Sequence, residues 1–139
     1  MKGQYRVVME IMLFGIGVAI ASFVLVVFTN MQNVASDLST RDQFEMILNS
    51  VSNSMISASQ SANSTISQQI PPSVSGHTYK LFIQNKSNIT ALDMQDPSVN
   101  VTRNVFKLNE SIILEGEVIS SAGTIQISFN GTHLRIGRG

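Results

Sequence analysis

From residue 7 to residue 28 the chain runs through apolar side chains almost without interruption, with one carboxylate, Glu10, set among them. The pattern then changes twice. Apolar residues first recur at three- and four-residue steps, and after residue 63 they alternate with polar ones in short segments bounded by turn residues. The three patterns predict an apolar helix, an amphipathic continuation of it and a β unit.

The apolar run has about the 20 residues that one bilayer crossing needs. No proline interrupts the helical pattern between residues 4 and 60, and its only glycines, Gly15 and Gly17, lie inside the apolar run. Beyond the run, Leu38, Phe44, Ile47, Leu48, Val51, Met55 and Ala58 form one face, while Asp37, Arg41, Asp42, Gln43, Glu45 and Asn49 lie elsewhere on the wheel. A helix of roughly 55 residues is about 80 Å long, far more than one membrane requires. A rod of that length is suited to packing along other rods.

Strand patterns occupy residues 65–70, 79–83, 99–105, 112–118, 124–129 and 132–136. The breaker-rich stretch Pro71-Pro72-Ser73-Val74-Ser75-Gly76 ends the first, and Asn130-Gly131 predicts a tight hairpin between the last two. The expected fold is α+β: a long N-terminal hydrophobic and amphipathic helix (4–62; apolar 7–28, amphipathic 34–60), then a small antiparallel β-sheet or sandwich domain (63–139). A β unit of about 75 residues with one apolar face is marginal alone, so it should lean on the helix or on neighbouring copies.

Composition narrows the chemistry. The 139 residues carry no net formal charge, and their basic residues form no stripe interleaved with aromatics, so no nucleic-acid partner is expected. Cysteine is absent, which excludes disulfides, iron–sulfur clusters and thiolate zinc sites. His77 and His133 stand outside any metal-ligand spacing and read as surface histidines. Glu115 and Glu117 fall on one strand face and read as a solvated face rather than an acid–base pair. Neither catalysis nor a cofactor is expected.

Lys2 and Arg6 precede the apolar run and Asp37 is the first charge after it, which predicts a cytoplasmic N-terminus and an external chain beyond about residue 30. Thr29-Asn30-Met31-Gln32 follows the run in place of a small-residue cleavage site, so the segment reads as retained. Asn-x-Ser/Thr occurs at Asn63, Asn85, Asn88, Asn100, Asn109 and Asn130, all on the expected outer side, whereas chance predicts roughly two. The sequons read either as glycan acceptors or as by-products of a Ser- and Asn-rich surface. Glu10 has two readings: an acid near the helix end that snorkels and pairs with Arg6 one turn earlier, or one whose partner is on another copy. Gly15-x-x-x-Ala19 and Gly17-x-x-x-Ala21 are spacings that let helix backbones approach closely, although such residues are common in membrane helices generally.

Lys2-Gly3-Gln4, then Glu10, the apolar helix to Phe28 and a following β domain resemble the archaeal type IV pilin-like proteins, a group of pilins, archaellins and their minor relatives. The resemblance is specific over about the first 30 residues. It implies a class III leader (residues 1–3), cut between Gly3 and Gln4 by a prepilin peptidase, and transfer by an assembly machinery from the membrane into a helical homo-polymer. Arg6, Glu10, Gly15, Gly17, Ala19 and Ala21 would then lie in the core of an extracellular filament, with β domains and N-linked glycans outside. Cutting after Gly3 makes Glu10 the seventh mature residue, where pilins often place the acid fifth. The expected function is a non-enzymatic subunit of a pilus-like or archaellum-like filament serving adhesion or motility. The alternative is an uncut, single-pass anchored accessory or binding module, stator-like or binding the surface layer.

Overall fold

The computed structural model describes residues 2–105 and 110–139. One helix, α1 (Lys2–Ser59), precedes seven strands among the described residues: β1 (Ser64–Gln69), β2 (Tyr79–Gln84), β3 (Asn88–Asp93), β4 (Asn100–Asn104), β5 (Ile113–Ile119), β6 (Thr124–Phe129) and β7 (His133–Arg138). The fold is α+β, a long N-terminal helix followed by a mostly antiparallel sheet. The chain divides into two compact units, residues 1–36 and 37–139.

In the second unit, helix residues Thr40, Phe44, Ile47, Leu48, Val51, Ser52, Met55 and Ala58 are buried. At about 100° per residue they fall within a narrow arc, which is why a single helix face closes the core. Leu38, expected on that face, is 58% exposed. It sits about 120° from Phe44 on the same wheel, outside the buried arc. The helix face meets Tyr79, Leu81, Ile89, Ala91, Leu114, Val118, Ile125, Ile127, Leu134 and Ile136 from the strands in one cluster. Phe44 and Tyr79 pack with ring centroids 5.4 Å apart. Burial pushes the Tyr79 phenol up, and its hydroxyl donates to the Pro71 carbonyl at 2.8 Å. Ser120 Oγ donates to the Pro72 carbonyl at 2.7 Å and accepts from Tyr79 N at 3.0 Å. The two prolines thus end β1 and present their carbonyls to a buried tyrosine and serine.

The sheet order is β1-β6-β7-β5-β2-β3-β4, antiparallel at every pairing except β5 with β7. β3, read from the sequence only as a polar connection, supplies Ile89 and Ala91 to the core. The turn before it places Asn85 and Lys86 at positive φ, which lets β2 fold straight back. The β6–β7 hairpin lies where Asn-Gly predicted it, shifted by one position. Asn130 N donates to the His133 carbonyl, so Gly131 and Thr132 are the central pair, and Gly131 takes a φ of 98°.

β5 changes neighbour partway along. Residues 113–116 pair with β7 and residues 117–119 with β2. The change falls at Gly116, whose φ is 114° and where a Cβ would stand 2.1 Å from the Ile136 carbonyl oxygen. Only glycine allows both the dihedral and the approach.

Gly116→Ala should therefore destabilise the full chain by about 2–4 kcal/mol. Gly137→Ala on β7, where a Cβ meets nothing within 4 Å, should cost less than about 1 kcal/mol. Denaturant unfolding in detergent, followed by circular dichroism, compares the two; equal midpoints would mean that position 116 tolerates a side chain.

Candidate functional site

Every side chain described in residues 3–36 is exposed. The segment is long and apolar enough to cross a membrane by length and composition. Between residues 7 and 29 the polar side chains are Glu10, Ser22 and Thr29. Ser22 Oγ donates to the Val18 carbonyl and Thr29 Oγ1 to the Leu25 carbonyl, each at 2.9 Å. Both hydroxyls are satisfied by the helix's own backbone, so neither requires an outside partner. Glu10 differs, because its partner among the described side chains is a cation, Arg6, with Nε 3.4 Å from Oε1 and both side chains mostly exposed. In water such an i, i+4 pair contributes a few tenths of a kcal/mol, but in a dry surrounding a carboxylate lacking further donors is costly.

Gly3 and Gln4, the residues flanking the proposed processing point, occupy the first turn of α1, exposed. At Gly3, Gly15 and Gly17 a Cβ would meet nothing within 4 Å. Each glycine costs helix stability relative to alanine, roughly 1 kcal/mol in a helix interior, with no packing inside the chain to require it. On the wheel, Gly15, Ala19 and Ser22 share one face, while Gly17 and Ala21 lie about 200° away. Arg6 and Glu10 fall on the Gly17 side. The segment thus has small-residue notches on two nearly opposite faces, with the ion pair in line with one of them.

The described sequons are scattered over the second unit. Asn63, Asn85, Asn100 and Asn130 are exposed, Asn88 is half-buried on β3, and Asn109 lies outside the described residues. Asn63 and Asn85 take the left-handed conformation, with φ of 56° and 54°. Asn100 donates its Nδ2 to the Pro97 carbonyl at 3.0 Å.

Several titratable groups of the second unit pair on the sheet. Lys80 Nζ lies 2.6 Å from Glu117 Oε2, and Glu115 Oε1 lies 3.8 Å from Arg135 Nε and 3.9 Å from His133 Nδ1. His77 Nδ1 is 2.8 Å from Asp93 Oδ2, and Asp93 Oδ1 accepts from the N–H groups of Gln95 and Asp96. Burial alone would raise the Asp93 carboxyl. The hydrogen bonds from His77, Gln95 and Asp96, with the His77 charge, outweigh it and hold the pKa below the ordinary 3.8. The sequence reading overlooked this buried carboxylate and Arg41. Arg41 donates from the helix to the carbonyls of Ser98 and Asn100 at 2.9 and 3.1 Å, gripping the β3–β4 loop. The available signal was the Asp93-Met94-Gln95-Asp96-Pro97 string, a loop whose first aspartate can cap its own backbone. No group of three or more His, Cys, Asp or Glu side chains able to hold a metal occurs among the described residues.

Comparison with protein-family models, with curated proteins and with solved structures found no match for this chain. The order of its elements, an apolar N-terminal helix followed by a β-sheet, is pilin-like.

A depressed folded-state pKa means that Asp93 contributes stability above its unfolded value, lost as pH falls through the lower folded one. Wild-type stability should decline below about pH 4. Asp93→Asn should cost about 1–2 kcal/mol at neutral pH and weaken that acid dependence. Urea unfolding of both proteins from neutral to acid pH tests this; parallel curves contradict it.

Proposed function

We propose that this chain is a structural, non-enzymatic subunit of an archaeal type IV pilus-like or archaellum-like surface filament. Residues up to about 30 would form the polymer core, and residues 63–139 the outer surface bearing N-linked glycans. The observation that carries the reading is the exposed apolar helix with small residues on two nearly opposite faces. A dimer needs one such face, whereas a helix inside a bundle is contacted on several sides at once. Before assembly the same segment would span the membrane with its N-terminus in the cytoplasm, where Lys2 and Arg6 favour holding it. Processing between Gly3 and Gln4 would release an α-amino group six residues before Glu10, a second cation able to reach a neighbour's carboxylate.

One observation favours the runner-up, a single-pass anchored accessory or binding module. The 3.4 Å contact with Arg6 already supplies Glu10 with a partner in the lone chain. Near a headgroup layer that pair is adequate, and nothing further is needed of a neighbour. In a dry bundle core it leaves donors short on the carboxylate.

The two readings separate in a variant series expressed beside wild type. If Glu10 is paired between copies, Glu10→Gln and Glu10→Leu should reach the membrane at wild-type levels. They should enter filaments at least about tenfold less often, because a buried cation left unpaired costs several kcal/mol. Electron microscopy of cell-surface preparations and the N-terminal residue of the purified chain complete the test. Filaments with Gln4 at the N-terminus support the subunit. An intact Met1 on a detergent-soluble monomer, with both variants behaving as wild type, supports the anchored module.

A further inference from the structure

The fold treats the sequons unequally. At Asn130 the carboxamide oxygen accepts from Thr132 N at 3.1 Å, Thr132 Oγ1 at 3.2 Å and His133 N at 2.8 Å. The third residue of the acceptor motif therefore binds the amide it must activate, while no partner among the described residues holds Nδ2. Three donors on one amide oxygen favour the imidate form, in which the nitrogen has given up a proton. Asn88 differs in the placement of its motif hydroxyl. Its Oδ1 accepts from Asn104 Nδ2 at 2.8 Å, and its motif hydroxyl, on Thr90, is buried between Thr102 and Gln84. In the folded protein that buried hydroxyl is not open to a transferase or to the Asn88 amide.

Beside Asn130 lies an open hollow of about 380 Å³, with Asn63 also on its lining. That volume falls within the roughly 300–1,000 Å³ of small-molecule sites. Phe129, Glu115, His133 and Arg135 line it as well. The separations of 3.8 and 3.9 Å around Glu115 Oε1 are too long for hydrogen bonds, so these groups keep capacity for outside hydroxyls. The Phe129 side chain belongs to the core, so the open lining is polar: a carboxylate, a guanidinium and an imidazole, with Ser64, Thr65 and Ser128, are groups that hydrogen-bond the hydroxyls of a sugar.

We propose that Asn130 is an N-glycan acceptor in the folded protein, that its first sugar residues lie in this hollow against Glu115, His133 and Arg135, and that Asn88 carries none. The co-substrate is a glycosyl phosphate or diphosphate. Asn130 Nδ2 forms the bond to the anomeric carbon, the carbon–oxygen bond to phosphate breaks with its electron pair on the phosphate, and the amide proton passes to a base of the transferase. The inference rests on the external placement of residues 63–139 given above, and is independent of whether the chain polymerises.

Glycopeptide mass spectrometry of the protein purified from its own cells, with hydrogen exchange on the intact chain, tests it. Sugar is expected at Asn130 and not at Asn88. Thr132→Val should abolish the Asn130 sugar and speed exchange at residues 133–135 roughly three- to tenfold, one hydrogen bond's worth, while Thr132→Ser restores both. Arg135→Ala should leave occupancy intact and speed exchange only in the sugar-bearing chain, which separates sugar docking from any effect of the variant on the turn. Sugar at other sequons with a bare Asn130, or sugar at Asn88, overturns this inference alone. A bare chain throughout overturns it together with the glycosylated outer surface. A modified Asn130 with unchanged exchange overturns the docking.

Discussion

The second unit depends on one contact above the others, the burial of the helix face from Thr40 to Ala58 against the inner side of the sheet. Phe44, Leu48, Val51 and Met55 are fully enclosed there, and so are Leu81, Ile125, Ile127 and Leu134 opposite them. Full burial of each such side chain is worth roughly 1.5–3 kcal/mol, so neither layer keeps its dry face without the other. The polar contacts at the edges of this core only position what the apolar contact stabilises. Thr40 meets Ser75 at 2.8 Å, Ser64 Oγ donates to the Ala58 carbonyl at 2.5 Å, and Arg41 grips two loop carbonyls.

Covering seven strands with one helix face requires the sheet to bring its two halves to a common core. β5 does this by belonging to both, first beside β7 and then beside β2, with Gly116 at the exchange. The single parallel pairing follows from it. β6 and β7 form their own hairpin, so β7 meets β5 running in the same direction. The conformation that makes the exchange possible is closed to every side chain, and so one position carries a topological burden that no alternation pattern displays.

Much of the fold was legible because its signals are local. The long helix, most of the strands and the last hairpin follow from periodicity and from breakers such as Pro71-Pro72. Other features were not legible, for particular reasons. β3 is Asn-Ile-Thr-Ala-Leu-Asp, too polar to be read as a strand until Ile89 and Ala91 are seen to face the core. Leu38 is apolar but on the wrong side of the wheel. Gly116 sat inside an alternating run whose neighbours drew attention to Glu115 and Glu117, although a glycine in mid-strand is itself a sign of close backbone approach. For the candidate site, the sequence located Glu10 and the small residues. The hydroxyl bonding of Ser22 and Thr29, the clamp of Arg41 and the differing states of the sequons depend on coordinates in three dimensions.

The backbone bonds of Ser22 and Thr29 have a consequence for partitioning. A helix that supplies its own hydroxyls with acceptors carries almost no hydrogen-bonding debt from one apolar medium to another, so hydrogen bonding by residues 11–29 would not distinguish lipid tails from neighbouring helices. If the segment passes between those media as proposed, what favours the neighbouring helices is close packing at Gly15, Gly17, Ala19 and Ala21 rather than hydrogen bonding. Among its polar groups, the one whose free energy would differ strongly between a wet interface and a dry interior is the Arg6–Glu10 pair. A change of about 1.4 kcal/mol at that single point would shift any such distribution tenfold.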